Sequence, residues 1–121
     1  MNRRTDRING LLRREISRIL ATELRDPRMS AIFSVTHVEA TSDLRYAKVH
    51  ISVLGDEDDK KGTLRALRSA SGFIHWNLRK HLAFKAVPSL EFILDESIEQ
   101  GAKMLELIDS LAHEAESPDE A

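Results

Sequence analysis

The chain has 121 residues, 41% hydrophobic and 31% charged, with no cysteine and a net charge of -2. That length suits one domain around a single modest core, and the missing cysteines exclude disulfides and thiolate metal sites. The opening residues MNRRTDRING lack an apolar stretch of signal-peptide length and no long apolar run follows, so a soluble cytoplasmic protein is expected.

From Thr5 to about Arg25, Ile8, Leu11, Leu12, Ile16, Ile19, Leu20 and Leu24 recur at steps of three and four, which predicts an amphipathic helix. Asp26-Pro27 should end it, because a residue before proline is pushed out of the α region. Arg7, Arg14, Arg18 and Arg25 fall on one line of that helix, with Arg3 close to it if the helix begins early. Such a face serves equally as a solvated exterior or as a phosphate-binding stripe. The use of arginine throughout favours the latter, since its planar fork matches phosphate geometry.

Two β-rich runs flank Thr41-Ser42-Asp43, a hairpin signal. The second alternates cleanly, with Ala47, Val49, Ile51 and Val53 on one side and Tyr46, Lys48, His50 and Ser52 on the other. The first alternates poorly, and its buried face is not readable. After Gly55-Asp56, the acids of DEDDKK suit a helix N-terminus. Leu64, Leu67, Ile74, Leu78 and Leu82 continue a helical pattern to about Phe84, where Val87-Pro88 breaks it. SLEFILD (89–95) reads as a short strand. Ile98, Ala102, Leu105 and Ile108 mark a last amphipathic helix. Residues 1–112 form the expected domain and 113–121 a disordered acidic tail. The order is α-β-β-α-kink-α-β-α, a three-stranded sheet packed on helices in an α+β domain.

Charge is polarised along this order. Residues 60–85 hold seven basic residues and no acid, whereas 86–121 hold one lysine against ten acids. Such asymmetry points to a polyanionic partner. Within the basic segment, RALRSASGFIHWNLRKHL puts Ser69-Ala70-Ser71-Gly72 in the middle of a helical pattern. Glycine alone costs about 1 kcal/mol against alanine in a helix interior, and serine competes for backbone hydrogen bonds. Two readings follow. Small residues could admit a tight crossing by another element. Alternatively the helix breaks, and the N–H groups of a second helix starting near Gly72 bind an anion. Arg65, Arg68, Gly72, Trp76 and Arg79 lie broadly on one side, with Lys80 beside them. Trp76, the one tryptophan, could cover the core edge or stack on an unpaired base.

The α-β-β-α-α-β order with a small-residue break is similar to the type II K-homology (KH) fold, an RNA-binding module with a Gly-x-x-Gly loop. This chain has Ala70-Ser71-Gly72 instead. With RINGLLRREISRIL, DLRYAKVHISVLG and VPSLEFILDES in order, residues 3 to about 110 resemble the ribosome-binding factor A family. The resemblance implies a factor that binds the immature small (30S) ribosomal subunit and 16S ribosomal RNA; nothing in the sequence demands more than a monomer. The resemblance also implies promotion of late maturation and processing, importance in the cold, and contact with other assembly factors. The break maps onto Ala70, Ser71 and Gly72 and the basic surfaces onto the arginines; the expected RNA-contact residues are therefore these three with Trp76, read from its place on the basic segment, and Arg3, Arg7, Arg14, Arg18, Arg45, Arg65, Arg68, Arg79 and Lys80. No cofactor or metal is expected.

An enzyme is the rival class, but no His-Glu-x-x-His, Gly-x-Ser-x-Gly or Walker A motif occurs. His50 and His81 read as ordinary surface residues. A second rival is a protein-interaction adaptor that offers its acidic C-terminal helix to a basic partner.

Overall fold

The computed structural model describes residues 3–30, 32–82 and 87–116. Helix α1 spans Arg3–Thr22, strands β1 and β2 span Phe33–Ala40 and Tyr46–Val53, and helices α2 and α3 span Glu57–Ser69 and Ser71–His81. Strand β3 (Ser89–Leu94) and helix α4 (Ser97–Glu116) complete the order. It is the α-β-β-α-α-β-α arrangement expected. Among the described residues, no helix is long and apolar enough to cross a membrane.

The sheet has the order β1-β2-β3, with β2 antiparallel to β1 and parallel to β3. Strand β2 buries Ala47, Val49, Ile51 and Val53, the side its alternation marked. On β1 the register slips between Val35 and His37, so Thr36 is an extra residue. A bulge of this kind moves the side chains after it to the opposite phase. Val35 and Val38 both reach the core despite standing three apart. The displaced Thr36 hydroxyl donates to Asp95 Oδ2 at 2.6 Å, linking the bulge to the end of β3.

The core side of the sheet is covered by helices. Leu12, Ile16, Ile19 and Leu20 of α1 join Leu67 of α2, Ile74 and Leu78 of α3, and Phe92 of β3 in one cluster. Helix α1 lies mainly on β1, α2 lies over β3 and β2, and α3 sits between α1 and β3.

Helix α1 ends at Thr22, short of the expected Arg25. The Thr22 hydroxyl donates back to the Arg18 carbonyl at 2.7 Å. Asp26 then organises its own turn, accepting from the Arg28 N–H at 2.9 Å through its carboxylate and from the Met29 N–H at 3.0 Å through its carbonyl. The Arg28 guanidinium beside it holds the Asp26 carboxyl down at about 2. Ser30 N–H reaches the buried Thr63 hydroxyl at 2.9 Å, which docks this segment on α2.

Gly55 has a φ of 151°, a conformation that favours glycine. Asp56 then caps α2 in a reciprocal box with Asp59. Helix α4 runs through Glu116, so 113–116 belong to a helix rather than to the expected tail. Exposed side chains of high helix propensity, among them Leu111, Ala112 and Glu114, let it continue past the last clear apolar step. Residues 117–121 lie outside the described residues.

Candidate nucleic-acid interface

The break in the basic segment is real and one residue wide. Ala70, at φ -92° and ψ 3°, belongs to neither helix. Its N–H still bonds the Ala66 carbonyl at 3.0 Å, and its own carbonyl accepts from Ile74 N–H at 2.9 Å. The ladder is thus re-entered at once. No side chain caps the start of α3, and its first turn holds no acid. That turn therefore carries the positive end of the helix dipole. It opens to solvent: a Cβ built on Gly72 would meet nothing within 4 Å. The tight-crossing reading therefore does not apply at Gly72.

The outward face of α3 continues from this opening. Trp76 is 54% exposed and Phe73 40%, so neither is covered by the core. Their ring centroids are 6.5 Å apart. Lys80 Nζ lies 4.1 Å from the centroid of the Trp76 ring, a cation–π contact that steadies the indole. Arg79 and, on α2, Arg65 are exposed beside this row, and Ser71 is half-buried at its start. The sequence placed Trp76 at either the core edge or the surface; the structure puts it at the surface.

Arg68 departs from the row. Its Nη2 donates to the Phe92 carbonyl at 3.3 Å, so its guanidinium leans toward β3. On α1, Arg3, Arg7 and Arg14 are exposed on the side away from the sheet, in the same helical layer as α3. Arg18 differs from them. Its Nε pairs with Glu15 at 3.1 Å, and its Nη2 is buried with no hydrogen-bond partner. Arg25, off the helix, leaves the line. Arg45 sits in the hairpin turn, 3.8 Å from Asp43, with its carbonyl accepting Ser89 N–H at the start of β3.

The structure therefore gathers Arg65, Ala70, Ser71, Gly72, Trp76, Arg79 and Lys80 around the break, sets Arg3, Arg7 and Arg14 on the neighbouring helix, and places Arg45 in the hairpin turn. Sequence reasoning missed Phe73 and Lys61. Phe73 lies three residues before Trp76 on the same helical side, a spacing available to be read but masked by ordinary core patterning. Lys61 is exposed one turn before Arg65.

The open side of the sheet is polar and differently organised. His37 Nε2 lies 3.0 Å from Glu39 Oε1, and His50 Nε2 is 3.8 Å from the other carboxylate oxygen. The His37 ring nitrogen holds the Glu39 carboxyl below its ordinary value. Hydrogen bonds from Thr36 and Ser97 hold Asp95 at about 2. His75 Nε2–H donates to the Val87 carbonyl at 2.9 Å, fastening the entry to β3. Among the described residues no group of histidines and carboxylates could hold a metal ion.

Comparison with known proteins places the chain in a family and a fold. A family model described as ribosome-binding factor A matches residues 4–108. The ribosome-binding factor A of Acetivibrio thermocellus is 46% identical over 105 residues, covering 87% of this chain and 85% of that protein. A crystal structure of ribosome-binding factor A from Thermus thermophilus superposes with a TM-score of 0.68 at 24% identity, over 77% of this chain and 97% of that one. A Thermus thermophilus homology model, fitted into a cryo-EM map of a complex between the 30S subunit and this factor, gives a TM-score of 0.62 at 25% identity, over 73% and 91%. The fold is that of the type II KH-like proteins, and the chain belongs to the ribosome-binding factor A family.

Proposed function

We propose that this protein is a ribosome assembly factor of the cytoplasm that binds the immature small (30S) subunit and contacts 16S ribosomal RNA through the α2–α3 break. By binding rather than by catalysis it promotes late maturation and rRNA processing, with its largest effect in the cold. The observation that carries this reading is the solvent-open start of α3 at Gly72, set beside exposed Trp76 and Lys80 in a segment with no acid. The Thermus relative fitted into a 30S map supports the partner.

Each part has a separate physical task. The uncapped first turn of α3 offers N–H groups to a phosphate, and Gly72 lets the phosphate approach without meeting a side chain. Phe73 and Trp76 present rings on which an unpaired base can stack, worth about 1–3 kcal/mol per base. Arg3, Arg7 and Arg14 of α1, with Arg65 and Arg79, contact flanking phosphates and set register rather than sequence. With Lys80 held against Trp76, one face of the indole is occupied and a base would use the other. The absence of a Gly-x-x-Gly loop argues against a four-nucleotide clamp and in favour of recognition by RNA shape together with other subunit contacts. A monomer suffices for all of this. A factor that binds one RNA arrangement more tightly than another shifts the particle toward it, which needs no chemical step.

Chemical footprinting of 16S RNA in small subunits, with and without the protein, tests the reading. Protection at a discrete set of nucleotides is expected. If about five cations meet phosphates, log affinity against log salt should fall with a slope of about -3.5 to -4.5. A slope near zero, or no protection, overturns it.

A further inference from the structure

Among the described residues, helix α4 carries six of the eleven exposed large apolar side chains. Ile98, Met104, Leu105, Leu107, Ile108 and Leu111 are each more than half exposed. At 100° per residue they occupy about 180° of the helix circumference, with Met104, Leu105, Ile108 and Leu111 within about 120°. A contiguous apolar stripe of that kind marks a contact surface rather than scattered apolar residues. Glu99, Glu106, Asp109 and Glu114 take the opposite half, and Asp109 and Glu114 border the stripe. Most helical stability in proteins comes from packing an amphipathic face, which α4 leaves exposed, so a docking surface would complete it.

The root of α4 is fixed even though its length is not. Lys60, only 6% exposed, sends its ammonium 2.8 Å to Glu99 and 3.5 Å to Glu57. The Glu99 carboxylate raises the Lys60 pKa, so the clip stays charged. Lys60 lies ten residues before Ala70, about 15 Å along α2 at 1.5 Å per residue. The root of α4 is therefore anchored at the end of α2 opposite the break.

Charge and stripe width select the occupant. Residues 97–114 carry four carboxylates against Lys103, which disfavours RNA, an anionic bilayer and a second acidic copy alike. A two-helix coiled coil uses a narrow seam, whereas half a circumference of apolar side chains requires a groove that wraps the helix. Basic residues on the rims of that groove would meet Asp109 and Glu114. Resting on the ribosomal reading above, we infer that the apolar face of α4 docks into an apolar, basic-rimmed groove on a basic protein of the small subunit.

The test uses the full chain in two binding assays, one with intact small subunits and one with protein-free 16S RNA. The double variant Ile108→Asp, Leu111→Asp should bind subunits at least tenfold more weakly, with RNA affinity and urea midpoint unchanged. The pair Asp109→Lys, Glu114→Lys preserves the apolar stripe and should weaken subunit binding in the same direction. Benzoylphenylalanine placed at position 108 should crosslink on subunits to a basic protein. Unchanged subunit affinity in both variants overturns the inference, as does a crosslink to RNA, to a second copy or to nothing. A parent chain that binds neither subunits nor RNA overturns the ribosomal reading as well, and that result is distinct from loss confined to the α4 variants.

Discussion

A methyl group on Gly62 would stand 2.5 Å from the Arg28 carbonyl oxygen, whereas one on Gly72 would touch nothing. The two glycines thus serve different ends. At Gly62 the absent side chain lets the 26–30 segment cross α2 closely. Gly62→Ala gains about 1 kcal/mol of helix propensity but forces a backbone contact apart, an overpacking cost of about 1–3 kcal/mol. A net fall in the urea midpoint is expected, and an unchanged midpoint would refute the close crossing. Gly72 is open, and a carboxylate there sits at a helix N-terminus, where it stabilises by about 0.3–1 kcal/mol. Gly72→Asp should therefore hold or raise the urea midpoint while weakening binding to 16S RNA several-fold. Equal RNA affinity in parent and variant would move the phosphate contact away from the break.

At the scale of elements, local rules and tertiary demands part company in identifiable places. Asp56 caps α2 through Asp59, and both lie in the acidic stretch DEDD that the sequence shows before a basic helix. Asp56→Ala should cost about 1 kcal/mol in chemical denaturation and leave RNA affinity alone, since the cap lies at the far end of α2 from Ala70. Strand β2 was legible because one buried face imposes a period of two. Strand β1 was not, because a bulge at Thr36 inverts its phase, and the carboxylate that its hydroxyl meets, Asp95, lies 59 residues away. The kink was legible from small residues alone. The row it organises was only partly so: Arg68 carries the right charge at the right spacing, yet a carbonyl of β3 draws it aside. Arg18 likewise sits on the arginine line but turns to Glu15. Spacing places a side chain on a face; neighbours from other elements decide where its end points.

Across the whole molecule the same division holds for charge. Composition by segment located the basic helices and the acidic end, while the ion pairs that join them depend on the fold. Their pH dependence has a definite sign. Asp26 and Asp95 are depressed to about 2, and Glu39 and Asp43 are lowered as well, each by a hydrogen-bonded partner in the folded chain. A carboxyl held lower in the folded state than in the unfolded one contributes stability above its unfolded value and loses it as pH falls through the folded one. Lys60 is raised above 10.5, so its contribution is present below that value and is lost only as pH climbs beyond it. Stability should hence form a plateau from about pH 5 to pH 9 and decline between about pH 4 and pH 2. Asp95→Asn removes one of the depressed carboxyls and leaves a single amide oxygen where two carboxylate oxygens accepted from Thr36 and Ser97, so the link to Thr36 is weakened. In urea titrations across this range the variant should start from a lower plateau and show a shallower acid decline than the parent. Identical acid limbs would mean that the Thr36–Asp95 contact between β1 and the end of β3 is not made in solution.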